Sequence, residues 1–155
     1  YASSELPSKN IKLVLLGDGI QKEKYQELAK ELKLEEMIHF EGKVLNPFNY
    51  MKQAKLLLLT SKNEGFPNVI LESLACETPV VAFDCHSGPS EIIIPNENGI
   101  LVENQNFEGF KLALNEMISN NQLYLHCKEN AKTSVERFSL ENIGKQWMQL
   151  FKELS

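Results

Sequence analysis

Lys55-Leu-Leu-Leu-Leu-Thr60 and, four residues on, Glu64-Gly-Phe-Pro-Asn-Val-Ile-Leu-Glu72 decide the fold. Leu56–Thr60 opens on four apolar residues with no polar alternation, the pattern of a strand buried on both faces. Gly65 and Pro67 mark a tight loop, and apolar residues then return at helical spacing through Cys76. Pro67 suits the first helical turn, where its missing N–H costs nothing. A buried strand, a short Gly/Pro loop and a helix N-terminus follow one another here within about twenty residues, as in one step of an α/β alternation.

The alternation extends in both directions. On the N-terminal side, Ile11–Leu16 reads as a strand stopped by Gly17-Asp18-Gly19, and Gln21–Leu34 as a helix with Tyr25, Leu28, Ala29 and Leu32 on one face. Met37–Phe40 reads as a short strand ended by Glu41-Gly42, and Pro47–Ala54 as a short helix. On the C-terminal side, Pro79–Phe83 is a strand, Ser87–Ile94 contains a short helix, and Gly99–Val102 is a last strand. Helices are expected over Phe107–Ser119 and Asn121–Phe138, and over a final segment N-capped by Ser139. Leu140, Ile143, Trp147, Leu150, Phe151 and Leu154 give that last helix a long apolar face. The fold class is therefore α/β: a Rossmann-like, doubly wound parallel sheet over residues 1–155.

Composition narrows the function. The chain has 155 residues, 43% hydrophobic, enough for one domain with a core. Its formal charge of −5 comes from interspersed acids and bases, and no basic cluster suits a nucleic-acid backbone. The longest apolar runs are far short of the ~20 residues that span a bilayer. Tyr1–Asn10 is polar and lacks the apolar core of a signal peptide. With no initiator Met, the chain is expected to be part of a longer polypeptide. Cys76, Cys85 and Cys127 are odd in number and widely spaced, the pattern of reduced thiols packed as small hydrophobes, with no zinc-ligand spacing.

In doubly wound sheets, ligands bind beyond the carboxyl ends of the strands. Gly17-Asp18-Gly19 lies at such an end and either admits a phosphate or sugar close to the backbone or simply makes a tight turn. Lys22 stands where a full G-x-G-x-x-G would have its third glycine. Glu64 sits in the loop after Leu56–Thr60, and Glu72, inside the helix, can point back toward its N-terminus. Each carboxylate alone would be an ordinary helix-end or surface charge. Together with Gly65, Phe66 and Pro67 they place hydroxyl acceptors beside helix N-terminal amides, which suits a ligand with both hydroxyls and phosphates: a nucleotide-sugar. In Cys85-His86-Ser87-Gly88-Pro89-Ser90-Glu91, Gly88 and its flanking hydroxyls could donate to a sugar, and His86 is placed like a site residue. Glu91 is either a ligand contact or a helix-start carboxylate.

Glu64-Gly-Phe-Pro-Asn-Val-Ile-Leu-Glu72-Ser-Leu-Ala resembles the E-x7-E signature of the glycosyltransferase group 1 family, retaining enzymes of the GT-B fold. Leu15-Leu-Gly-Asp-Gly19, Phe40-Glu-Gly-Lys-Val44, Thr78-Pro-Val-Val-Ala82, Gly88-Pro-Ser-Glu-Ile92, Asn98-Gly-Ile-Leu-Val102 and Arg137-Phe-Ser-Leu140 resemble further family segments in the same order. The resemblance implies the C-terminal, donor-binding domain of a two-domain, hexosyltransferase-type enzyme whose N-terminal domain binds the acceptor. It implies that Glu64, the catalytic candidate, binds hydroxyls of the transferred sugar while Gly65, Phe66 and Pro67 present backbone amides. Glu72 would hold the ribose, the backbone at Lys43 and Val44 would read the base, and Gly17 and Gly19 would lie near the phosphates or sugar. His86, Gly88 and Glu91 are further sugar contacts on this reading. The Gly88–Glu91 version of the loop is similar to that of members building bacterial surface glycans from UDP-hexoses or UDP-N-acetylhexosamines.

The same resemblance sets further expectations. Family members carry an earlier strand and helix with an Arg and a Lys that neutralise the diphosphate; here only a polar lead precedes Ile11. That strand would be central to the sheet, so dimer contacts or strand exchange are expected of this piece, which alone would transfer no sugar. With no Asp-x-Asp motif, no cofactor and no metal are expected. The acceptor would be a glycan or a lipid-linked glycan, and the location cytoplasmic or peripheral on the inner membrane face. Three other readings compete: a glycoside hydrolase using Glu64 and Glu72 as its pair, a nucleotide-sugar epimerase of the same architecture, and a non-catalytic Rossmann-type nucleotide-binding module. Residues eight apart, split between loop and helix, give the hydrolase no opposed carboxylates.

Overall fold

A computed structural model describes residues 11–154; the expectations about the Tyr1–Asn10 lead lie outside them. The chain divides into two compact units, Tyr1–Pro47 and Phe48–Ser155.

The first unit is a single β-α-β crossover. Strand β1 (Leu13–Leu16) runs parallel to β2 (Ile38–Gly42), joined by helix α1 (Lys22–Glu31). The register pairs Leu13 with Ile38 and Leu15 with Phe40, then shifts so that Leu16 opposes Gly42. Gly17 adopts φ 121°, which a side chain would resist, and its N–H donates to the Gly42 carbonyl at 2.7 Å. One difference from the sequence reading stands out. The apolar run of β1 predicts burial on both faces, yet its four residues are 38–42% exposed. The physical reason is limited cover: among the described residues β1 ladders with β2 alone, and the crossover helix buries only Ala29.

The second unit holds a three-stranded parallel sheet in the order β3 (Leu57–Leu59), β4 (Val80–Asp84), β5 (Gly99–Glu103). Between them run α2 (Phe48–Met51), α3 (Asn68–Ala75) and α4 (Pro89–Ile92) in chain order, α2 preceding β3. After β5 come α5 (Phe107–Ser119), α6 (Asn121–Ser134), a 3-10 turn (Glu136–Phe138) and α7 (Leu140–Glu153). Strand β4 is central, and the period of two divides its side chains between two cores. Val80 and Ala82 pack with Ile70, Leu74, Ile92, Ile93 and Ala131; Val81 and Phe83 pack with Val102, Phe110, Ala113, Met117 and Cys127. Both faces of this sheet are thus covered, as doubly wound α/β requires.

Buried polar groups tie the unit together. Thr78 Oγ1 donates to the Met51 carbonyl at 2.6 Å, and Ser73 Oγ donates to the Thr78 carbonyl at 2.9 Å. Asn98 donates through Nδ2 to the Ile92 carbonyl and to Ser134 Oγ, while its Oδ1 accepts from the Ile94 N–H. Gly99 follows because β5 begins hard against β4, where a Cβ would overlap the Val80 carbonyl oxygen. Cys85 and Cys127 are buried, Cys76 is half-buried, and all three are free thiols. Burial pushes the Cys127 thiol up to about 11, so it packs as a small hydrophobe.

The helix ends follow their capping residues. Asn106 and Asn120 accept from the Gly109 and Leu123 N–H groups, and Ser139 accepts from Asn142 as the sequence predicts. The segment predicted as one helix over Asn121–Phe138 is instead α6 followed by the 3-10 turn, broken at Val135. Helix α7 has the expected apolar stripe, but none of its residues is buried; Trp147 and Phe151 stack on each other at its surface. No helix among the described residues is long and apolar enough to cross a membrane.

Candidate functional site

The carboxyl ends of β3, β4 and β5 carry the loops 60–67, 85–88 and 104–106, which lie in the second unit. They are held to one another by side chains. Ser87 Oγ donates to the Glu64 carbonyl at 3.0 Å and approaches that of Gly65 at 3.4 Å. Asn104 Nδ2 donates to the Lys62 carbonyl at 3.2 Å, linking the β5 loop to the β3 loop.

This bonding orients the Glu64–Pro67 backbone. Every peptide bond described is trans, so each N–H points opposite to the carbonyl of its own peptide unit. With the Glu64 and Gly65 carbonyls turned toward Ser87, the N–H groups of Gly65 and Phe66 face away from it. Pro67 is the N-cap of α3 and is buried; its carbonyl accepts from the Ile70 N–H, and the Asn68 and Val69 amides before it have no acceptor within the helix. The loop and helix start therefore present a row of backbone donors, favourable to an anion.

Glu64 and Glu72 are both half-buried. Among the described residues neither carboxylate is engaged in a hydrogen bond or ion pair. A carboxylate that has lost part of its water and has no protein partner is an acceptor held ready for ligand donors.

The Gly88 loop behaves differently from a set of free donors. The Ser87 hydroxyl, a candidate sugar donor by sequence, is taken by the Glu64–Gly65 backbone and held at φ 81°. Gly88 has φ 96° and lies so close to the first loop that a Cβ would come within 2.5 Å of Pro67 Cδ and 2.8 Å of the Gly65 oxygen. Its N–H donates to Glu91 Oε1 at 3.3 Å, a contact at the start of α4. His86 is exposed on the same loop.

Gly17, Gly19, Lys43 and Val44 belong to the first unit. Gly17 and Gly19 border the turn between β1 and α1, where Lys22 pairs with Asp18 at 3.2 Å. Lys43 is exposed and Val44 half-buried just past the end of β2. The described residues hold no group of three or more His, Cys, Asp or Glu that could ligate a metal.

Sequence reasoning missed the groups that brace the site. Ser87 was visible only as a hydroxyl beside a glycine. Arg137 and Phe138 entered only as part of a segment resembling the family, with no role assigned, yet the Phe138 ring meets Phe66 edge-on with centroids 5.6 Å apart, and Arg137 Nη2 donates to the Glu91 carbonyl at 2.5 Å. No local pattern announces contacts across so many residues.

Comparison with known proteins follows the same outline. Residues 2–134 match the family described as Glycosyl transferases group 1. The chain is 38% identical over 136 residues to the Campylobacter jejuni N-acetylgalactosamine-N,N'-diacetylbacillosaminyl-diphospho-undecaprenol 4-alpha-N-acetylgalactosaminyltransferase, covering 88% of this chain and 37% of that protein. The crystal structure of TarM superposes with a TM-score of 0.84 at 30% identity, covering 93% of this chain and 29% of TarM. Anabaena HepE in complex with UDP gives a TM-score of 0.84 at 25% identity, covering 94% of this chain and 42% of HepE. The chain thus spans well under half the length of these relatives. They share its Rossmann-like α/β architecture, that of one half of the GT-B fold. The chain belongs to the glycosyl transferases group 1 family.

Proposed function

We propose that residues 1–155 are the C-terminal, nucleotide-sugar-binding domain of a retaining glycosyltransferase. The donor is a UDP-hexose or UDP-N-acetylhexosamine, and the acceptor a glycan or lipid-linked glycan of a bacterial surface polysaccharide or glycoconjugate. The observation that carries the reading is the pair of half-buried, unengaged carboxylates, Glu64 and Glu72, flanking the Asn68 and Val69 amides at the start of α3. HepE, solved with UDP, and the Campylobacter relative, named as an N-acetylgalactosaminyltransferase acting on an undecaprenol-linked glycan, support the donor and acceptor classes.

In this mechanism Glu64 accepts hydrogen bonds from hydroxyls of the transferred sugar and fixes the anomeric carbon. Glu72 accepts from the ribose hydroxyls. The Gly65 and Phe66 amides and the α3 N-terminus stabilise negative charge as the nucleoside diphosphate leaves, preorganised donors that cost no rearrangement at the moment of reaction. Gly17 and Gly19 are assigned to the phosphates or sugar, the backbone at Lys43 and Val44 to the base, and His86 and Gly88 to the sugar on the resemblance alone. No metal takes part, and the reaction runs in the cytoplasm or at the inner face of the membrane.

The test is nucleotide release by the complete protein from UDP-, GDP- and ADP-sugars, with and without a membrane extract supplying lipid-linked acceptor. Release of UDP that depends on acceptor supports transfer. Conversion of the sugar without such dependence contradicts it in favour of an epimerase, and binding without turnover favours a non-catalytic module.

A further inference from the structure

We propose that Arg137 and Phe138 are positioning residues that hold the Glu64–Pro67 loop in its working conformation. The inference rests on the donor-site reading above.

The 3-10 turn reaches the loop by two routes. The direct route is the edge-to-face contact of Phe138 with Phe66, at an interplanar angle of 64°. Phe66 is 43% exposed, so this ring contact anchors a side chain that solvent would otherwise leave free to rotate. The indirect route begins at Arg137, whose guanidinium lies over the Phe138 ring at 4.6 Å and donates to the Glu91 carbonyl. The Glu91 carboxylate accepts from the Gly88 N–H, and Gly88 is packed on Gly65 and Pro67. Ser87 then bonds the Glu64 and Gly65 carbonyls.

The two routes close a ring of contacts around the loop. One side fixes the Phe66 ring, and the other fixes the carbonyls of the two preceding peptides. The orientation of the Gly65 and Phe66 amides follows from both. Phe138 is itself seated against the Ile70–Leu74 core, so the ring is anchored to the rigid part of the unit. A site built on a loop needs such bracing, because small misplacements of donors cost large factors in binding and rate. Without the Phe138 ring the Phe66 side chain is free, and the peptide between Gly65 and Phe66 can turn.

The experiment uses the complete protein with Phe138→Ala, Phe138→Tyr, Arg137→Ala and Arg137→Lys. It reads UDP affinity by calorimetry, backbone 15N order parameters at Gly65 and Phe66, and amide hydrogen exchange in β4 as the record of global stability. Phe138→Ala is expected to weaken UDP binding about tenfold, the cost of misplaced donors. The order parameters at Gly65 and Phe66 should fall from the rigid-backbone range of about 0.85 to below about 0.6, with β4 exchange unchanged, the sign of local loosening. Phe138→Tyr restores both. Arg137→Ala moves both in the same direction by less, and Arg137→Lys, which keeps a donor for Glu91, restores them. Should Phe138→Ala fail to fold, the exposed Arg137 decides. The proposal is overturned if the variants lower only the melting temperature, leaving affinity and the Gly65 and Phe66 order parameters unchanged. If the unaltered protein binds no UDP, GDP or ADP, the donor-site reading fails, while the order parameters still decide whether the turn orders the loop.

Discussion

Strands β1 and β4 share an unbroken run of four apolar residues and have opposite environments. Leu13–Leu16 and Val80–Phe83 are both four apolar residues without a polar break, yet each residue of Val80–Phe83 is 0% exposed and those of Leu13–Leu16 are 38–42% exposed. The difference lies in neighbours. Among the described residues, β4 ladders with β3 and β5 and has helices on both faces, while β1 ladders with β2 and has one crossover helix. An apolar run states what cover a strand can use, and the rest of the fold decides whether that cover is supplied. Stability in this chain should therefore concentrate in the second unit, beneath the Glu64–Glu72 loop.

The sharpest way to break this contrast is Phe83→Ala. Phe83 is enclosed by Phe107 and Phe110, with ring centroids at 5.2 and 5.0 Å, so truncation should cost about 3–5 kcal/mol in urea unfolding. A loss below about 1 kcal/mol would mean that β4 is not the rigid centre. Next comes Gly99→Ala, which drives a methyl into the Val80 backbone where flexible side chains cannot yield. About 3 kcal/mol is expected from overpacking, together with a shift of the Asn98–Gly99 amide resonances. Asn98→Ala leaves the Ile94 N–H and Ile92 carbonyl without their side-chain partner and should cost about 2 kcal/mol. The smallest effect belongs to β1. Leu15→Thr removes partly exposed apolar surface and should cost about 1 kcal/mol or less in the same unfolding experiment. A cost equal to that of Phe83→Ala would show that β1 is covered in the working protein as fully as β4.

How legible all this was depended on the range of the forces involved. Strand starts and helix stripes were readable because they follow from local period: Phe107–Ser119 matches α5 residue for residue. The break at Val135 was hidden, because no glycine or proline marks it and the 3-10 turn continues the same helical spacing. In the site, Gly88 was conspicuous because tight backbone approach demands a glycine, and its close packing on Pro67 supplies the reason; Glu64 and Glu72 stood out as carboxylates flanking a loop and a helix start. Ser87 was read as a donor to a ligand, since sequence cannot show that the Glu64 carbonyl claims its proton first. The Phe66–Phe138 and Arg137–Glu91 contacts join segments 72 and 46 residues apart and lie beyond any local pattern. The exposure of β1 was unreadable for the complementary reason: a run of leucines says nothing of which neighbours are present.

Calorimetric titration of UDP into the complete protein and its Glu72→Ala variant, both first shown to melt cooperatively, tests the central claim most directly. The account predicts that the unaltered protein binds UDP, and that Glu72→Ala weakens binding about tenfold to a hundredfold, the worth of one or two hydrogen bonds to a carboxylate. Equal affinity of the two proteins, or no binding by either, would contradict it.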